Sequence, residues 1–468
     1  SRRTGKTSIH SAAFPLRNKR FLSMEMQERT LVEKIRFIDL FAGIGGIRKG
    51  FENACENAHI QSECVFISEI KPYAVQVLKQ NHPNEIIFGD ITKIDSRDIP
   101  DFDFLLAGFP CQAFSAAGKR RGFLDTRGTL FFEVERILKE KNPFGFVLEN
   151  VEGLVNHDRE KTSDKIGRTL STIIAHLENL NYKVSWKVLN AKDFGVPQDR
   201  KRIYITGTKK AFPNLEDFSV THKNLSAILE NGLSVSESPF VKLLLSHYSV
   251  EKLCGMSIKD KRGGKNNIHS WDIEYKGKVS EEQKELLNLM LKERRKKKWA
   301  EEFGIEWMDG MPLTISQIRT FFDRPNLLDM LEDLTAKKYL VKEHPKKKVG
   351  TIRIQDDTLP LGYNIVAGKI SYEVAKVLSP NEIAPTLVAM DMQHLFVADG
   401  DGLRRLSLRE GLRLFGYPEN FKFDVSDSDG YDLLGNTVVV PAIEAVSERI
   451  LAIYLAEKKE NRNAFECA

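Results

Sequence analysis

Cysteine is scarce and scattered. The 468-residue chain has five, Cys55, Cys64, Cys111, Cys254 and Cys467, with no CxxC pair and no histidine at zinc-ligand spacing, which argues against a disulfide framework and against a structural metal. By default each is a small buried hydrophobe. Long apolar runs are also missing: nothing approaches the ~18 consecutive residues of a membrane span, and no apolar leader precedes a small-residue cleavage site. Both absences imply a cytoplasmic protein without a membrane partner. A large excess of one charge is absent too, since the formal net charge is only +5. The basic residues are instead concentrated in GKRRG (118–122), KERRKKK (292–298) and KKK (346–348), a pattern that suits a polyanion meeting chosen faces. Each run alone reads equally well as a solvated helix face.

The length exceeds one ordinary hydrophobic core and implies two domains. Residues 1–30 are basic and aperiodic, and read as a flexible N-terminal arm. From Ile35, short β-rich runs (IRFIDLF, CVFISEI, EIIFGDI, FDFLLAGF, FGFVLEN, KVSWKVLN, KRIYITG) alternate with helical ones such as TLFFEVERILKEK (129–141) and IGRTLSTIIAHLENL (166–180). That rhythm predicts an α/β domain with a parallel sheet covered on both faces. It stops near residue 210. The stretch 211–394 mixes lysine-rich helices and short strands, with capping boxes at Ser280/Gln283 and Thr314/Gln317. Within it, residues 312–355 read as a helix-turn-helix followed by a basic β-wing, although paired amphipathic helices also arise from plain packing. After 395 regular elements return and end in a long amphipathic helix whose apolar face needs a sheet. The expected organisation is therefore a domain over 31–210, completed by 395–468, with 211–394 inserted.

Candidate chemistry lies at the strand ends. The first strand runs into DLFAGIGGIRKGFE (39–52), a glycine turn opening a helix, where a ligand can approach the backbone at the strand's carboxyl end. Gly43, Gly45 and Gly46 are present, but Arg48 stands where the dinucleotide fingerprint has its third glycine. Glu69, 26 positions after Gly43, ends the second strand where an acid accepts from ribose hydroxyls. Asp90 ends the third, placed to accept from an adenine amino group. Together they describe an adenosine site; singly, each acid is more often a helix cap or turn residue. Cys111 follows the strand FDFLLAGF, expected beside the glycine turn, where its thiolate can attack an electrophilic carbon. None of the scattered histidines sits near it at a strand end, so its activation is not that of a hydrolase. Glu149 ends the strand FGFVLEN, at a depth that raises a carboxyl pKa and suits it to donate a proton or hydrogen bond. Arg200 and Arg202 in VPQDRKRIYITG fall on one face of a strand and favour an anion or a carbonyl oxygen; surface ion pairing is the plain alternative.

In this order and spacing FAGIGG, GFPCQ, ENV, QDRKR and GNTVVVPA resemble the signature blocks of the DNA (cytosine-5) methyltransferases of bacterial restriction–modification type, over 35–458 apart from the insertion. The resemblance implies a Rossmann-like S-adenosylmethionine-dependent fold with an inserted target-recognition domain. It implies that Cys111 attacks C6 of a cytosine flipped out of duplex DNA, that Glu149 binds N3 and the exocyclic amine, and that Arg202 and Arg200 hold the carbonyl oxygen and neighbouring backbone. For S-adenosylmethionine it implies contacts from Phe41, Gly43, Gly45, Glu69, Asp90, Pro110, Leu130, Asn436 and Thr437, with Ile70 and Ile91 sandwiching the adenine. The absent third glycine fits a cofactor that has no pyrophosphate. Ser115, Lys119, Arg120 and Arg121 belong to a loop (115–126) expected to swing over DNA as a lid, and Thr386 with Leu387 matches a family pair at the end of the insertion. The implied protein is a monomer, needs no metal, and sits in the bacterial cytoplasm, at the nucleoid when on DNA.

Two rival readings remain at this stage. A transfer-RNA cytosine methyltransferase shares the catalytic blocks but lacks the long insertion. A nucleotide-dependent oxidoreductase is disfavoured by the missing glycine and the strand-end cysteine.

Overall fold

The computed structural model describes residues 34–109, 129–161, 164–261, 266–307, 310–349, 352–366, 372–389 and 391–466. The arm over 1–30 and, in the loop, Pro110, Cys111, Ser115, Lys119, Arg120 and Arg121 lie outside them.

Seven strands form the main sheet: β1 Ile35–Leu40, β2 Ser62–Ser68, β3 Ile87–Phe88, β4 Phe104–Ala107, β5 Gly145–Val151, β6 Lys183–Asn190 and β7 Lys201–Thr208. Their spatial order is β3-β2-β1-β4-β5-β7-β6. All run parallel except β7, which is antiparallel to both β5 and β6, so the expected parallel sheet is a mixed one. Periodicity could not show this, because a strand buried on both faces reads the same in either direction.

Alternation along each strand supplies two cores. In β4, Phe104 and Leu106 enter one apolar cluster while Leu105 and Ala107 enter the other, as side chains of period two must. The helices α1 Gly46–Asn57, α2 Pro72–Asn81, α3 Thr129–Lys141 and α4 Arg168–Asn179 connect the strands. The order changes direction between β1 and β4, which opens the crevice at their carboxyl ends where open α/β sheets bind ligands.

Beyond β7 the chain enters two further assemblies. A five-stranded sheet contains β8 Ser257–Ile258, β9 Asn267–Ile268, β14 Lys376–Val377, β15 Leu395–Asp399 and β16 Gly402–Arg405. Position 394/395 therefore falls inside this sheet. Between its halves stand α5 Glu281–Glu293, α6 Ile315–Arg319, α7 Leu327–Ala336 and strands β10 Leu340–Glu343, β11 Lys346–Val349, β12 Ile352–Gln355 and β13 Gly362–Ile365, around a separate core of their own. The capping boxes of Ser280 and Thr314 form as the sequence predicts.

The chain then returns. Helix α8 spans Asp427–Asn436 and α9 spans Val440–Glu466. Ile443, Val446, Ile450 and Tyr454 form the buried stripe of α9, which packs along α1. At Gly50 the two helices approach so closely that an added Cβ would sit 2.6 Å from Ile443 and 2.8 Å from the carbonyl of Val440. Among the described residues no helix is long and apolar enough to cross a membrane, and no group of three or more His, Cys, Asp or Glu side chains could hold a metal ion.

Candidate active site

The carboxyl ends of β1, β2, β4 and β5 surround a cavity of about 730 Å³. Its wall is built at one end by the glycine turn. Phe41, Gly43 and Gly45 all have positive φ, at 55°, 56° and 83°, so the chain leaves β1 through left-handed backbone before α1 begins, a conformation cheap for glycine and costly for phenylalanine. Nothing lies within 4 Å of where a Cβ on Gly43 would stand, so a ligand can approach the bare backbone there.

Glu69 holds this turn. One of its carboxylate oxygens accepts from the Gly43 amide at 2.7 Å, and the other accepts from the amides of Ile70 and Lys71 at 2.8 Å each. Asp90 caps the short helix after β3: its Oδ1 accepts from the Thr92 amide at 3.0 Å and from the Thr92 hydroxyl at 2.7 Å, and these bonds pull its pKa below the usual carboxylate range. Capping and ligand binding are thus compatible, because one oxygen serves the cap and the residue still lines the cavity. Ile70 lies on the cavity wall 72% exposed, whereas Ile91 is buried beneath it. An isoleucine so open at a strand end is apolar surface that a flat ring would cover. Leu130, Asn436 and Thr437 also line the cavity. Asn436 is oriented by donating to the Asp432 carbonyl at 2.8 Å, and the Thr437 hydroxyl shares a 2.7 Å hydrogen bond with Tyr417.

At the other end stand Glu149 and Arg202. Glu149 is buried, with Arg202 Nε 3.2 Å from its Oε1. Burial pushes its pKa up, opposed by the charges of Arg202 and Arg200. Its neighbour Asn150 donates to the Phe109 carbonyl at 3.0 Å, so β5 fixes the end of the chain segment that leads to residue 111. Gly108 and Phe109 line the same cavity as Gly43 and Glu149.

Arg200 departs from expectation. It too is buried on the cavity wall, but its Nη1 donates to the Leu387 carbonyl at 2.7 Å and its Nη2 to the carbonyls of Gly435 and Thr437 at 3.2 and 2.8 Å. Burial lowers its pKa to about 9. Both Nη atoms thus tie the returning C-terminal segment to the start of β7, as buried carbonyls require donors, while the buried Nε has no hydrogen-bond partner among the described residues. Thr386 is exposed and donates to the Asp199 carbonyl at 2.6 Å. Gln198, fully buried, bonds Leu387 and Leu414 in the same strut.

Arg48, standing where a third glycine was expected, is buried and braces the turn from behind: its Nε donates to Glu52 at 2.7 Å and its Nη2 to Glu85 at 2.7 Å. Beside it lies Asp39, which the sequence reading passed over. It is fully buried at the end of β1, neither carboxylate oxygen has a hydrogen-bond partner among the described residues, and burial raises its pKa to about 8. Lys71 was also missed. It lines the cavity and pairs with Asp432 at 2.7 Å, joined by the Tyr73 hydroxyl at 2.6 Å. An acid immediately before a glycine turn was a readable signal for Asp39. Nothing local announces Lys71, whose partner is far away in sequence.

A mixed sheet with this strand order and a glycine-turn cavity at its carboxyl edge has the Rossmann-like fold of methyltransferases. Among solved structures, the methyltransferase Dnmt2 of S. pombe superposes with a TM-score of 0.52 at 16% identity, over 90% of this chain and 99% of that one, and the Entamoeba histolytica methyltransferase EhMeth with a TM-score of 0.50 at 16% identity, over the same shares. At that identity the likeness concerns the fold. The sequence model of the C-5 cytosine-specific DNA methylases matches residues 35–452, and the chain belongs to that family: it is a DNA (cytosine-5) methyltransferase of the bacterial restriction–modification type. It is 64% identical to the type II methyltransferase M.NlaIV of Neisseria lactamica and 63% identical to M.NgoBV of Neisseria gonorrhoeae, in both cases over 90% of this chain and 99% of the relative. It is 41% identical to M.BanI of Aneurinibacillus aneurinilyticus, over 89% and 95%.

Proposed function

We propose that the cavity binds S-adenosylmethionine at its glycine-turn end and an extruded cytosine of duplex DNA at its Glu149 end, with Cys111 as the nucleophile between them. The observation that carries this reading is the single cavity shared by Gly43, Glu69 and Ile70 with Phe109, Glu149 and Arg202. The donor fits the residues present: Glu69 and Asp90 offer carboxylate oxygens to hydroxyl and amino groups, the open Ile70 and buried Ile91 offer apolar faces to a ring, and the bare backbone at Gly43 permits close approach. Pro110, Leu130, Asn436 and Thr437 complete the proposed contacts. Bound there, the sulfonium cofactor supplies an electrophilic methyl group.

The protein's own residues make the other partner reactive. The Cys111 thiolate forms a bond to C6, moving the C5–C6 π electrons so that C5 becomes carbanion-like and can accept the methyl group. Glu149, kept protonated more readily by burial, hydrogen-bonds N3 and the exocyclic amine and so stabilises the charge that reaches the ring. Arg202 orients Glu149 and offers the cytosine carbonyl oxygen a donor. A water molecule takes the C5 proton, the C5–H electron pair restores the C5–C6 double bond, and the C6–S bond breaks to release the Cys111 thiolate. Ser115, Lys119, Arg120 and Arg121 contact DNA from the loop, and Thr386 from the insertion. Arg200 acts at one remove, by holding Thr437 and Gly435 in the cavity wall.

The enzyme works as a monomer in the cytoplasm, with the arm 1–30 ahead of a catalytic region, 31–210 completed by 395–468, that a recognition insertion over 211–394 interrupts, and it shields host DNA from a cognate endonuclease. Duplex DNA carrying 5-fluorocytosine at the target, incubated with the cofactor, will trap the wild-type protein covalently and leave Cys111→Ala uncoupled. Equal trapping of both would defeat the assignment of Cys111. Bisulfite sequencing of plasmid DNA methylated in vitro reports the modified cytosine and its site together.

A further inference from the structure

Two of the three basic runs, KERRKKK and KKK, are far apart in sequence and outside the cavity just described. The unit that carries them has a specific connectivity. Helix α5 is followed by a short helix, Lys298–Glu302, and a single paired residue, Leu313, then by α6, α7, β10, the β11–β12 hairpin and β13. Strand β13 pairs antiparallel with β10 on one side and bridges Leu313 on the other. Apart from that one extra helical turn, the order helix, strand, helix, helix, strand, hairpin, strand, closed around a private core that includes Leu286, Met290, Ile318, Leu331, Tyr339 and Tyr363, is the build of a winged helix, with β11–β12 as its wing.

In that build the third helix, here α7, is the one a helix-turn-helix protein lays in the major groove. Its free face cannot do so comfortably. Leu328, Asp329, Glu332 and Ala336 are its exposed side chains, and Asp333 is occupied by Gln283 and Lys337. Carboxylates brought beside the phosphates of duplex DNA raise the free energy of binding.

The positive charge lies on another edge. Lys292, Lys296, Lys297 and Lys298 are exposed at and just beyond the end of α5. Trp307 ties this turn to the wing, because its indole Nε1 donates to the Arg295 carbonyl at 3.0 Å and its own carbonyl accepts from Arg353 of β12 at 3.3 Å. Cross-strand pairing puts Arg353 opposite Lys348, and Gln355 opposite Lys346, on one face of the hairpin. Four acids pair with this edge, Glu293 with Lys296 at 2.5 Å, Glu306 with Lys348 at 3.6 Å, Glu343 with Lys346 at 3.4 Å and Asp356 with Lys347 at 3.3 Å, and Glu301 and Glu302 are exposed on the short helix that starts at Lys298. In these pairs the lysines reach solvent, whereas Glu293, Glu343 and Asp356 are largely buried and only Lys348–Glu306 is open on both sides; an exposed pair contributes little, so a phosphate can take the place of Glu306 at modest cost.

We propose that residues 281–365 are a winged-helix unit that grips the duplex DNA backbone through this edge, the α5 turn and the wing together, with α7 kept off the DNA. The contacts are to phosphates, so they add affinity without reading sequence. The inference rests on duplex DNA being the enzyme's substrate.

The test uses the full chain with Lys296→Ala, Lys297→Ala, Lys348→Ala and Arg353→Ala combined, and separately Asp329→Asn with Glu332→Gln. Binding is measured across a series of salt concentrations to a duplex that the wild type methylates and to an equally long one that it does not. Each lost phosphate contact flattens the log–log salt slope by about 0.9. The quadruple variant is therefore expected to lose about 3.6 units of slope and on the order of a hundredfold in affinity near 0.1 M salt, equally for both duplexes. The α7 pair should bind as the wild type does, or slightly tighter. A wild-type slope in the quadruple variant would overturn the proposal, as would a loss confined to the methylated duplex, or weakened binding by the α7 pair. A wild type that methylates no duplex DNA at all would instead remove the enzyme assignment, and this proposal with it.

Discussion

The main sheet and the winged unit treat charge in opposite ways. Around the sheet the charged side chains of the cavity are buried or half-buried and held by named partners: Glu149 by Arg202, Glu69 by three amides, Arg200 by three carbonyls. On the winged unit the basic side chains stand in solvent with loose ion pairs. A reacting centre needs its groups fixed in advance, since tenths of an ångström decide rate. A phosphate backbone needs only charge of the right sign within reach. Single substitutions should therefore be severe in the first region and mild in the second.

The sharpest contrast comes from Cys111→Ala, expected to lower methyl incorporation into duplex DNA by about 10⁴-fold or more while leaving DNA binding in place. Next in size is Asp39→Asn, read by denaturant unfolding across pH. Asp39 ionises near its ordinary value in the unfolded chain but only at about 8 in the folded one. Its contribution to stability is thus fully present below about pH 4 and is lost as pH rises to about 8, approaching roughly 5 kcal/mol by linkage. The variant should gain on the wild type throughout that window; a difference independent of pH would show that Asp39 ionises normally. Glu149→Gln should reduce turnover by roughly 10²–10³-fold and change cofactor affinity far less, and equal losses in both would contradict its placement at the cytosine. Ile70→Ala should weaken cofactor binding about tenfold by removing apolar cover of a little over 1 kcal/mol, measured by calorimetry without DNA. At the small end, Lys297→Ala alone should weaken DNA binding by no more than about fourfold. A single lysine with a hundredfold effect would break the contrast between the two regions.

What was legible in the sequence follows the same division. Strand ends, the glycine turn and the capping boxes are written in adjacent residues, so local rules find them. Residues whose meaning depends on distant chain are not. Arg200 reads like Arg202 two positions away, yet the return of residues 435–437 turns it into a tether. Lys71 gains its role only because Asp432 comes to lie beside it. The reversed direction of β7 escapes notice because hydrophobicity carries no arrow. In the winged unit the hairpin and two helices are visible, but the joining of two basic runs through Trp307 depends on tertiary contact.

The seating of Ile443 against Gly50 carries a consequence for biosynthesis. A ribosome must translate nearly four hundred codons between the two halves of that contact. Until α9 emerges, α1 presents its greasy flank to solvent, and the wall that Arg200 anchors is unfinished. The nascent polypeptide should therefore acquire catalytic competence late and abruptly, so an incompletely synthesised chain would not modify the chromosome.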